Sequence, residues 1–500
     1  MTDRRQDKTM FDVVLIAGVL LLLALLAGPV LTIPLHIPIN YNEGWNAGFD
    51  TRAVFAGKGP LYPGPDTFVF NNYPPLGFLL VGAAGRFLFG GDMILAGRVI
   101  ALLSLLWSAI MLACCIRRLG GKGRAAWAGA LLLLLITATF FRGYVAMDDP
   151  QWLAHAAMLT GLAVLLGVDL GQERLQAGRI VLACALVLAG GFIKHNLVAL
   201  PIATTLWLCW RRPHAGLVWI GTAIAGLVLG AALIEISYGP AAFTDILHHR
   251  RVFRVHLLTH AINRLAPLLP GLILMALFLR RRTSGPGAVL VALFAVIALV
   301  TGTLQRMGEG VYYNAHFEAM IATCLGVGLV LNSLSLAAPL TGRRHLSPAL
   351  ALGLTLTPIF GAMPWHLPIA WDAMQDRYAE QRAWAPVIAD LAAAPGAVGC
   401  HYLSLCYWAG KPFETDLFNL SQSVMAGGPI KPFHTFVARH GFSLFEDQPS
   451  SFLHQDVIRK LGHDPVMDSF RGQYRVVGHG PDSTVLLAPV GGSIGSIAVR

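Results

Sequence analysis

Apolar runs separated by short polar breaks fill the chain up to about residue 363, with stretches such as 20–26 and 131–136 unbroken. Segments of about 15 to 24 apolar residues lie near 11–33, 93–116, 125–141, 151–168, 180–193, 196–210, 217–237, 262–279, 286–304, 318–336 and 346–363, and the pattern predicts eleven membrane-spanning helices. An odd count places the two ends of the chain on opposite sides. Residues 75–89 are apolar but short, hold Gly77, Gly82 and Gly85 and carry Arg86, so they predict a helix at the membrane interface within a long first outer loop, 34–92. From residue 364 the pattern changes. Strand-like runs at 397–403, 474–477 and 484–488 alternate with helical stretches near 384–394 and 431–441, which predicts a small α/β domain over 364–500 behind a membrane domain over 1–363.

Composition agrees with this division. Hydrophobic residues make up 55% of the chain and charged residues only 13%, and mean hydropathy is +0.61; these values exclude a disordered chain, a secreted disulfide scaffold and an average soluble enzyme. The net charge of +10 does not mark a nucleic-acid binder, because 364–500 holds 10 basic and 12 acidic side chains and the excess sits in membrane loops. Arg4, Arg5, Lys8, Arg117, Arg118, Lys122, Arg124, Arg174, Arg179, Arg211, Arg212, Arg280–Arg282, Arg343 and Arg344 all fall on one side of an eleven-span chain. That side is expected to be cytoplasmic. The expected setting is a bacterial inner (plasma) membrane, with the amino terminus cytoplasmic and the carboxyl-terminal domain periplasmic. The first span reads as an anchor and not a cleaved signal peptide, since no small-x-small site precedes Pro34. Cys400 and Cys406 are the two cysteines placed where a disulfide is chemically allowed, and two reduced thiols remain an equal reading.

Carboxylates carry the first functional signal. Of 15 in the membrane part, Asp3, Asp7, Asp12, Asp169 and Glu173 fall on the cytoplasmic side. The other ten, Glu43, Asp50, Asp66, Asp92, Asp148, Asp149, Glu235, Asp245, Glu309 and Glu318, face the outside or the membrane interior, where ionisable groups are costly and tend to be functional. Glu43 lies in Tyr41-Asn42-Glu43-Gly44-Trp45-Asn46 at the start of the first loop, which ends in Asn71-Asn72-Tyr73-Pro74-Pro75-Leu76. Asp148 and Asp149 precede Pro150; one of them caps the next helix on the simpler reading, which leaves the other for a cavity.

Lys194 stands in Gly190-Gly191-Phe192-Ile193-Lys194-His195-Asn196 between apolar legs of about 14 and 15 residues, too short at about 1.5 Å per residue to cross a core of about 30 Å. The pair predicts a helical hairpin whose tip stops below the surface. Its cation either meets a lipid phosphate or snorkels to the interface. Two further outer segments fit the same cavity: His248-His249-Arg250-Arg251, basic on the side where the topology rule predicts few cations, and Arg306 with Tyr312, Tyr313, His316 and Glu318. The expected carrier-phosphate contacts are Lys194, His195, Arg250, Arg251 and Arg306. Tyr73, Tyr312, Tyr313, His316 and Glu318 are expected to contact substrate.

No metal motif of convincing spacing, Walker loop or dinucleotide fingerprint occurs. No cofactor is certain, and a divalent cation stays open at Asp148 or Asp149. With no cytosolic domain for a nucleotide, an energy-rich substrate has to come from the membrane. The long first loop with its early acid, the Tyr-Pro-Pro-Leu turn, the second acidic pair and the Lys-x-Asn hairpin together resemble the GT-C superfamily of membrane glycosyltransferases, and more closely the bacterial relatives of protein O-mannosyltransferases and of the lipid A aminoarabinose transferase. The resemblance covers about residues 10–335.

It implies transfer of a hexose or pentose from a polyprenyl-phosphate carrier to a lipid, glycan or protein acceptor at the outer face. Glu43 becomes the main catalytic carboxylate with Asp50 as rival, since many relatives carry Asp or Asp-Glu where this chain has Asn42-Glu43. Asp148 or Asp149 becomes the second-loop acid, and Lys194 the phosphate-binding cation. Such a carboxylate takes a proton from the attacking hydroxyl, typically worth about 10²- to 10⁴-fold, while cations offset the leaving phosphate. The competing class is a membrane transporter or lipid flippase, which also places charge within a helical bundle.

Overall fold

The structure, a computed structural model, describes residues 2–64, 67–247, 252–281, 285–336 and 346–491. Its membrane part opens with α1 (Thr2–Thr32), α2 (Tyr41–Val54), α3 (Pro75–Leu88), α4 (Met93–Arg118) and α5 (Gly123–Phe140). There follow α6 (Gln151–Leu166), α7 (Ala177–Ile193), α8 (Ala199–Arg211), α9 (Pro213–Tyr238) and α10 (Pro240–Leu247). Then come α11 (Leu257–Asn263), α12 (Leu269–Arg281), α13 (Pro286–Arg306), α14 (Phe317–Leu336) and α15 (Pro348–Ala393). Every stretch expected to span falls on helical chain. Among the described residues eight helices are long and apolar enough to cross a membrane; α6, α7 and α8, with 16, 17 and 13 residues, are shorter.

The helices form one bundle around a common apolar core. α14 runs through its centre, 83% buried over its most apolar stretch, and packs against α5 and α13; α9, only 11% buried there, faces outward. Small residues let the helices approach. At Gly129 on α5, a Cβ would lie 2.9 Å from the Cys324 carbonyl oxygen of α14, the close backbone contact on which association in lipid depends. α3 lies where the interfacial helix was expected, against α2, α4 and α7.

Two expectations are corrected by α15. The last expected span, 346–363, and the expected helix near 384–394 are one helix of 46 residues that runs through Pro358, Pro364, Pro368 and Pro386. Each proline removes one backbone donor, but α1 packs along α15, and neighbouring helices commonly hold proline-bearing membrane helices together.

Beyond α15 the chain folds into a small α/β unit with α16 (Leu403–Trp408), α17 (Leu417–Met425), α18 (Lys431–Ala438), α19 (Phe452–Leu461) and α20 (Pro465–Asp468). Its four-stranded sheet has the order β1-β2-β4-β3, with β1 (Val398–Cys400) parallel to β2 (Leu444–Asp447), and β4 (Val485–Pro489) antiparallel to both β2 and β3 (Tyr474–His479). β1, β3 and β4 sit on the expected strand-like runs. β2 escaped the pattern because all four of its residues, Leu444-Phe445-Glu446-Asp447, are buried, so polar and apolar positions do not alternate with exposure. Cys400 and Cys406 are joined by a disulfide across six residues. The unit docks on the chain leaving α1, for Leu35 and Ile37 share a core with Trp384, Leu391, Leu405 and Leu444.

Candidate active site

The site is built on the side of the bundle that carries the α/β unit. α2 lies between the two parts, and its residues Glu43 to Asp50 are all buried. Gly44 allows the approach, because a Cβ there would fall 2.1 Å from the backbone of Leu403 and Ser404 at the start of α16.

Glu43 is fully buried and bound through both carboxylate oxygens to Arg98 of α4. Arg98 Nε donates to Oε1 at 2.7 Å and Nη2 to Oε2 at 2.8 Å. Arg98 Nη1 also donates to the carbonyls of Thr32 (2.9 Å) and Leu35 (2.7 Å), and Nη2 to that of Ile37 (2.7 Å). The arginine thus ties the end of α1 to the first loop. Ile39 N and Asp148 N complete the donors around Glu43 at 3.2 and 3.4 Å. Sequence reasoning missed Arg98, although it is the single charge within the apolar run 93–116, a position where an arginine needs a partner.

Asp148 and Asp50 lie beside this pair, both buried, and each keeps one carboxylate oxygen with no hydrogen-bond partner. Asn46 Nδ2 donates to the Asp148 carbonyl at 2.7 Å. Gly97 leaves room for the Asp148 side chain, whose Oδ1 would be 1.9 Å from a Cβ at that position. Burial pushes the Asp50 carboxyl well above the usual carboxylate range. It does the same to Asp148, with the charges of Asp50, Glu43 and Asp149 adding and Arg98 opposing.

Asp149 takes the helix-start role considered for the acidic pair and also binds Lys194, but it does not line the membrane cavity. Its Oδ1 accepts from Gln151 N at 2.8 Å, holding the first turn of α6, and from Lys194 Nζ at 3.1 Å. Lys194 is buried in the short link between α7 and α8, 4.9 Å from the Tyr73 ring centroid; the two helices do not close into the expected packed hairpin, since each packs against α9. Asn196 and Gln305 bind each other reciprocally at 3.2 and 2.8 Å and fix the α7–α8 link to α13.

A cavity of about 430 Å³ is lined by Asn40, Tyr41, Asn42, Tyr73, Tyr144, His195, Asn196, Gln305, Arg306, Tyr312, Tyr313 and Asn314 among others, while Glu43, Asp50, Asp148 and Asp149 are outside its lining. It therefore brings together five of the expected residues: Tyr73, His195, Arg306, Tyr312 and Tyr313. The Arg306 guanidinium lies 5.1 Å from the Tyr313 ring centroid, and that of Arg264, which sequence reasoning passed over, lies 4.3 Å from it. Glu318 is elsewhere: its carboxylate accepts from Ala199 N (3.1 Å) and Leu200 N (2.8 Å) and caps α8. His316 is buried behind Gly302 of α13 and does not line the cavity. Arg250 and Arg251 lie outside the described residues.

Chemically, the arrangement offers buried carboxyl groups of raised basicity, each with one oxygen lacking a hydrogen-bond partner, and a cavity with a cation and aromatic walls. Comparison with known proteins bears on the fold. No protein-family model matches the chain, and no curated protein matches it. Among solved structures it is similar to ArnT from Cupriavidus metallidurans in the apo state, and to the same protein bound to undecaprenyl phosphate. Both have a TM-score of 0.57 and 15% identity, covering 97% of this chain and 98% of that one. The oligosaccharyltransferase AglB from Archaeoglobus fulgidus, in complex with an inhibitory peptide and a dolichol-phosphate, has a TM-score of 0.49 and 13% identity over 98% of this chain and 75% of its own. The chain is a polytopic helical membrane protein with a small carboxyl-terminal α/β unit, and over nearly its whole length it has the fold of ArnT.

Proposed function

We propose that the protein is an integral membrane glycosyltransferase. It moves a hexose or pentose from a polyprenyl-phosphate donor to a lipid, glycan or protein acceptor, at the outer face of a bacterial inner membrane. The observation that carries this reading is the cavity of about 430 Å³ lined by Arg306, His195, Tyr73, Tyr312 and Tyr313; Asp148, Asp50 and Glu43 are buried outside its lining. The ArnT neighbour solved with undecaprenyl phosphate supports a carrier lipid of that class.

The donor phosphate lies against Arg306, while Lys194 behind Tyr73 is ion-paired with Asp149. An arginine in a site of low dielectric lowers the cost of the phosphate leaving as an anion. Asp148 accepts the acceptor's hydroxyl proton in its ionised form: burial makes that form more basic and less populated, so this role makes the rate rise with pH. Asp50 shares the buried charge. Glu43, held by Arg98 and by two backbone amides, acts as a positioning residue that fixes the backbone of Asp148. Asp148 is also the place where a divalent cation would be steadied.

The test is release of polyprenyl phosphate from a panel of polyprenyl-phosphate sugars by purified protein in liposomes, with membrane-extract acceptors. Release coupled to sugar incorporation supports the reading. No turnover of any donor, with lipid or solute crossing the bilayer in the same liposomes, replaces it with a transporter.

A further inference from the structure

Away from the membrane cavity, the α/β unit gathers His401, Asp447 and His454, three buried side chains from separate parts of the sequence. The sheet register explains the first two. Parallel pairing of Cys400 with Glu446 sets the next residues, His401 and Asp447, side by side where β1 and β2 end, and His401 N donates to the Glu446 carbonyl at 2.8 Å. The disulfide from Cys400 to Cys406 closes the turn that carries His401. His454 arrives from the first turn of α19, whose N-cap is Ser451.

Each of the three presents one donor atom, and these atoms lie within 4.8 Å of one another. His454 Nε2 is 2.8 Å from Asp447 Oδ1, and His401 Nδ1 is 3.9 Å from the same oxygen. Ligand atoms around a four-coordinate zinc ion, bound at about 2.0 to 2.1 Å, are themselves about 3.4 Å apart, so the observed separations bracket what the ion requires. His401 Nδ1 is buried with no hydrogen-bond partner, an expensive state for a ring nitrogen.

The surroundings add the second layer that such sites use. Asp464 Oδ2 binds His454 Nδ1 at 2.7 Å, which leaves Nε2 turned toward Asp447 and His401. Asp464 is itself fixed as the N-cap of α20, with Oδ1 accepting from Val466 N and Met467 N. A carboxylate behind a histidine orients the ring and raises its basicity as a ligand. His401 also lines a separate cavity of about 170 Å³, together with Tyr402, Gln448 and Ser451, and with Asn40 and Tyr41 that also border the membrane cavity.

We propose that His401, Asp447 and His454 form a binding site for a divalent transition metal ion, zinc by donor set, with Asp464 orienting His454 and the fourth position open to the small cavity. Two imidazoles and one carboxylate suit zinc over calcium or magnesium, which prefer oxygen ligands. The ion joins β1, β2 and α19 where the α/β unit meets the first loop.

Full-length protein in detergent is treated with chelator, exchanged into zinc-containing buffer, desalted, and its metal counted by mass spectrometry. One zinc per chain is expected for the wild type and for His479→Ala, an exposed control. His401→Ala and Asp447→Asn should each lower zinc affinity at least tenfold. Asp464→Asn should keep the stoichiometry and weaken binding by about 10- to 100-fold. Cobalt in place of zinc should give a visible absorption band in the wild type that is lost in His401→Ala. Because His401 Nδ1 has no bond to lose, that variant keeps the fold where His454→Ala does not. Zinc uptake unchanged by His401→Ala, or no uptake by the wild type, overturns the proposal. Neither outcome touches the membrane reaction, which polyprenyl phosphate release measures separately.

Discussion

Arg98 of α4 holds both carboxylate oxygens of Glu43 on α2, at 2.7 and 2.8 Å, with neither side chain exposed to solvent. The same guanidinium gathers the carbonyls of Thr32, Leu35 and Ile37. One residue therefore joins the end of α1, the first loop and α4, and the loop that borders the proposed site depends on it.

Removing one partner of such a pair leaves a buried charge without compensation, which typically costs about 3 to 5 kcal/mol. Arg98→Leu and Glu43→Gln should both lower the thermal midpoint in detergent strongly. The double variant should recover part of the loss, because no lone charge remains. Equal stability of Glu43→Gln and the wild type would sink the positioning role given to Glu43.

Asp148 should behave differently. Its buried carboxyl already favours the neutral form, so the neutral isostere in Asp148→Asn fits with little loss of stability. If Asp148 is the base, kcat for sugar transfer should fall by about 10²- to 10⁴-fold at saturating donor. A folded, fully active Asp148→Asn together with a folded, inactive Glu43→Gln would return the role to Glu43, where the sequence first placed it.

The buried link at Lys194, the acidic pair and the tyrosine loop could be located in advance because each breaks an otherwise apolar pattern: Lys194 interrupts two short apolar legs, and Asp148-Asp149 stands between two expected spans. What escaped depends on distance in sequence. Arg98 is 55 residues from Glu43, and no local rule pairs them. Glu318 looked like part of a polar cavity wall, yet its oxygens cap α8, whose N-terminus lies 118 and 119 residues away in the chain. His401 and Asp447 become neighbours only through the parallel register of β1 and β2, and β2 itself lacks the alternation that marks a half-buried strand.

Arg306 lines the membrane cavity and stacks near Tyr313. If it contacts the carrier phosphate, Arg306→Ala removes a charge-assisted hydrogen bond worth about 1.5 to 3 kcal/mol, and KM for the polyprenyl-phosphate sugar should rise about tenfold to a hundredfold. Steady-state kinetics with the donor varied would check this. An unchanged KM with reduced kcat would place Arg306 away from the ground-state phosphate.

In the α/β unit, Asp416 caps α17 through Asn419 N at 3.0 Å, and burial pushes its carboxyl up to about 6. The folded state thus keeps the proton to higher pH than the unfolded chain does, and stability from this group is lost as pH rises from about 4 through about 6, then stays level. Holding a proton over a range of about two pH units corresponds to roughly 3 kcal/mol. Asp416→Asn, which does not titrate, should gain on the wild type by about that amount between pH 4 and pH 7 in unfolding measurements. A constant difference across that range would refute the assignment.

Gly97 offers a test that leaves every charged group in place. It lies inside α4, where alanine is the better helix former by about 1 kcal/mol, so Gly97→Ala should not unfold the protein through the backbone. The new methyl carbon, however, would sit 1.9 Å from Asp148 Oδ1 and 2.1 Å from its Cγ. The whole carboxyl group has to move, since the chain of Asp148 is too short to yield at its tip alone. Misplacing a reacting group by about 1 Å can cost about 10²-fold. Gly97→Ala should therefore lower kcat by about that factor while donor KM changes little, at a stability cost of about 1 to 3 kcal/mol from overpacking; wild-type kcat in a folded Gly97→Ala would remove Asp148 from the reaction.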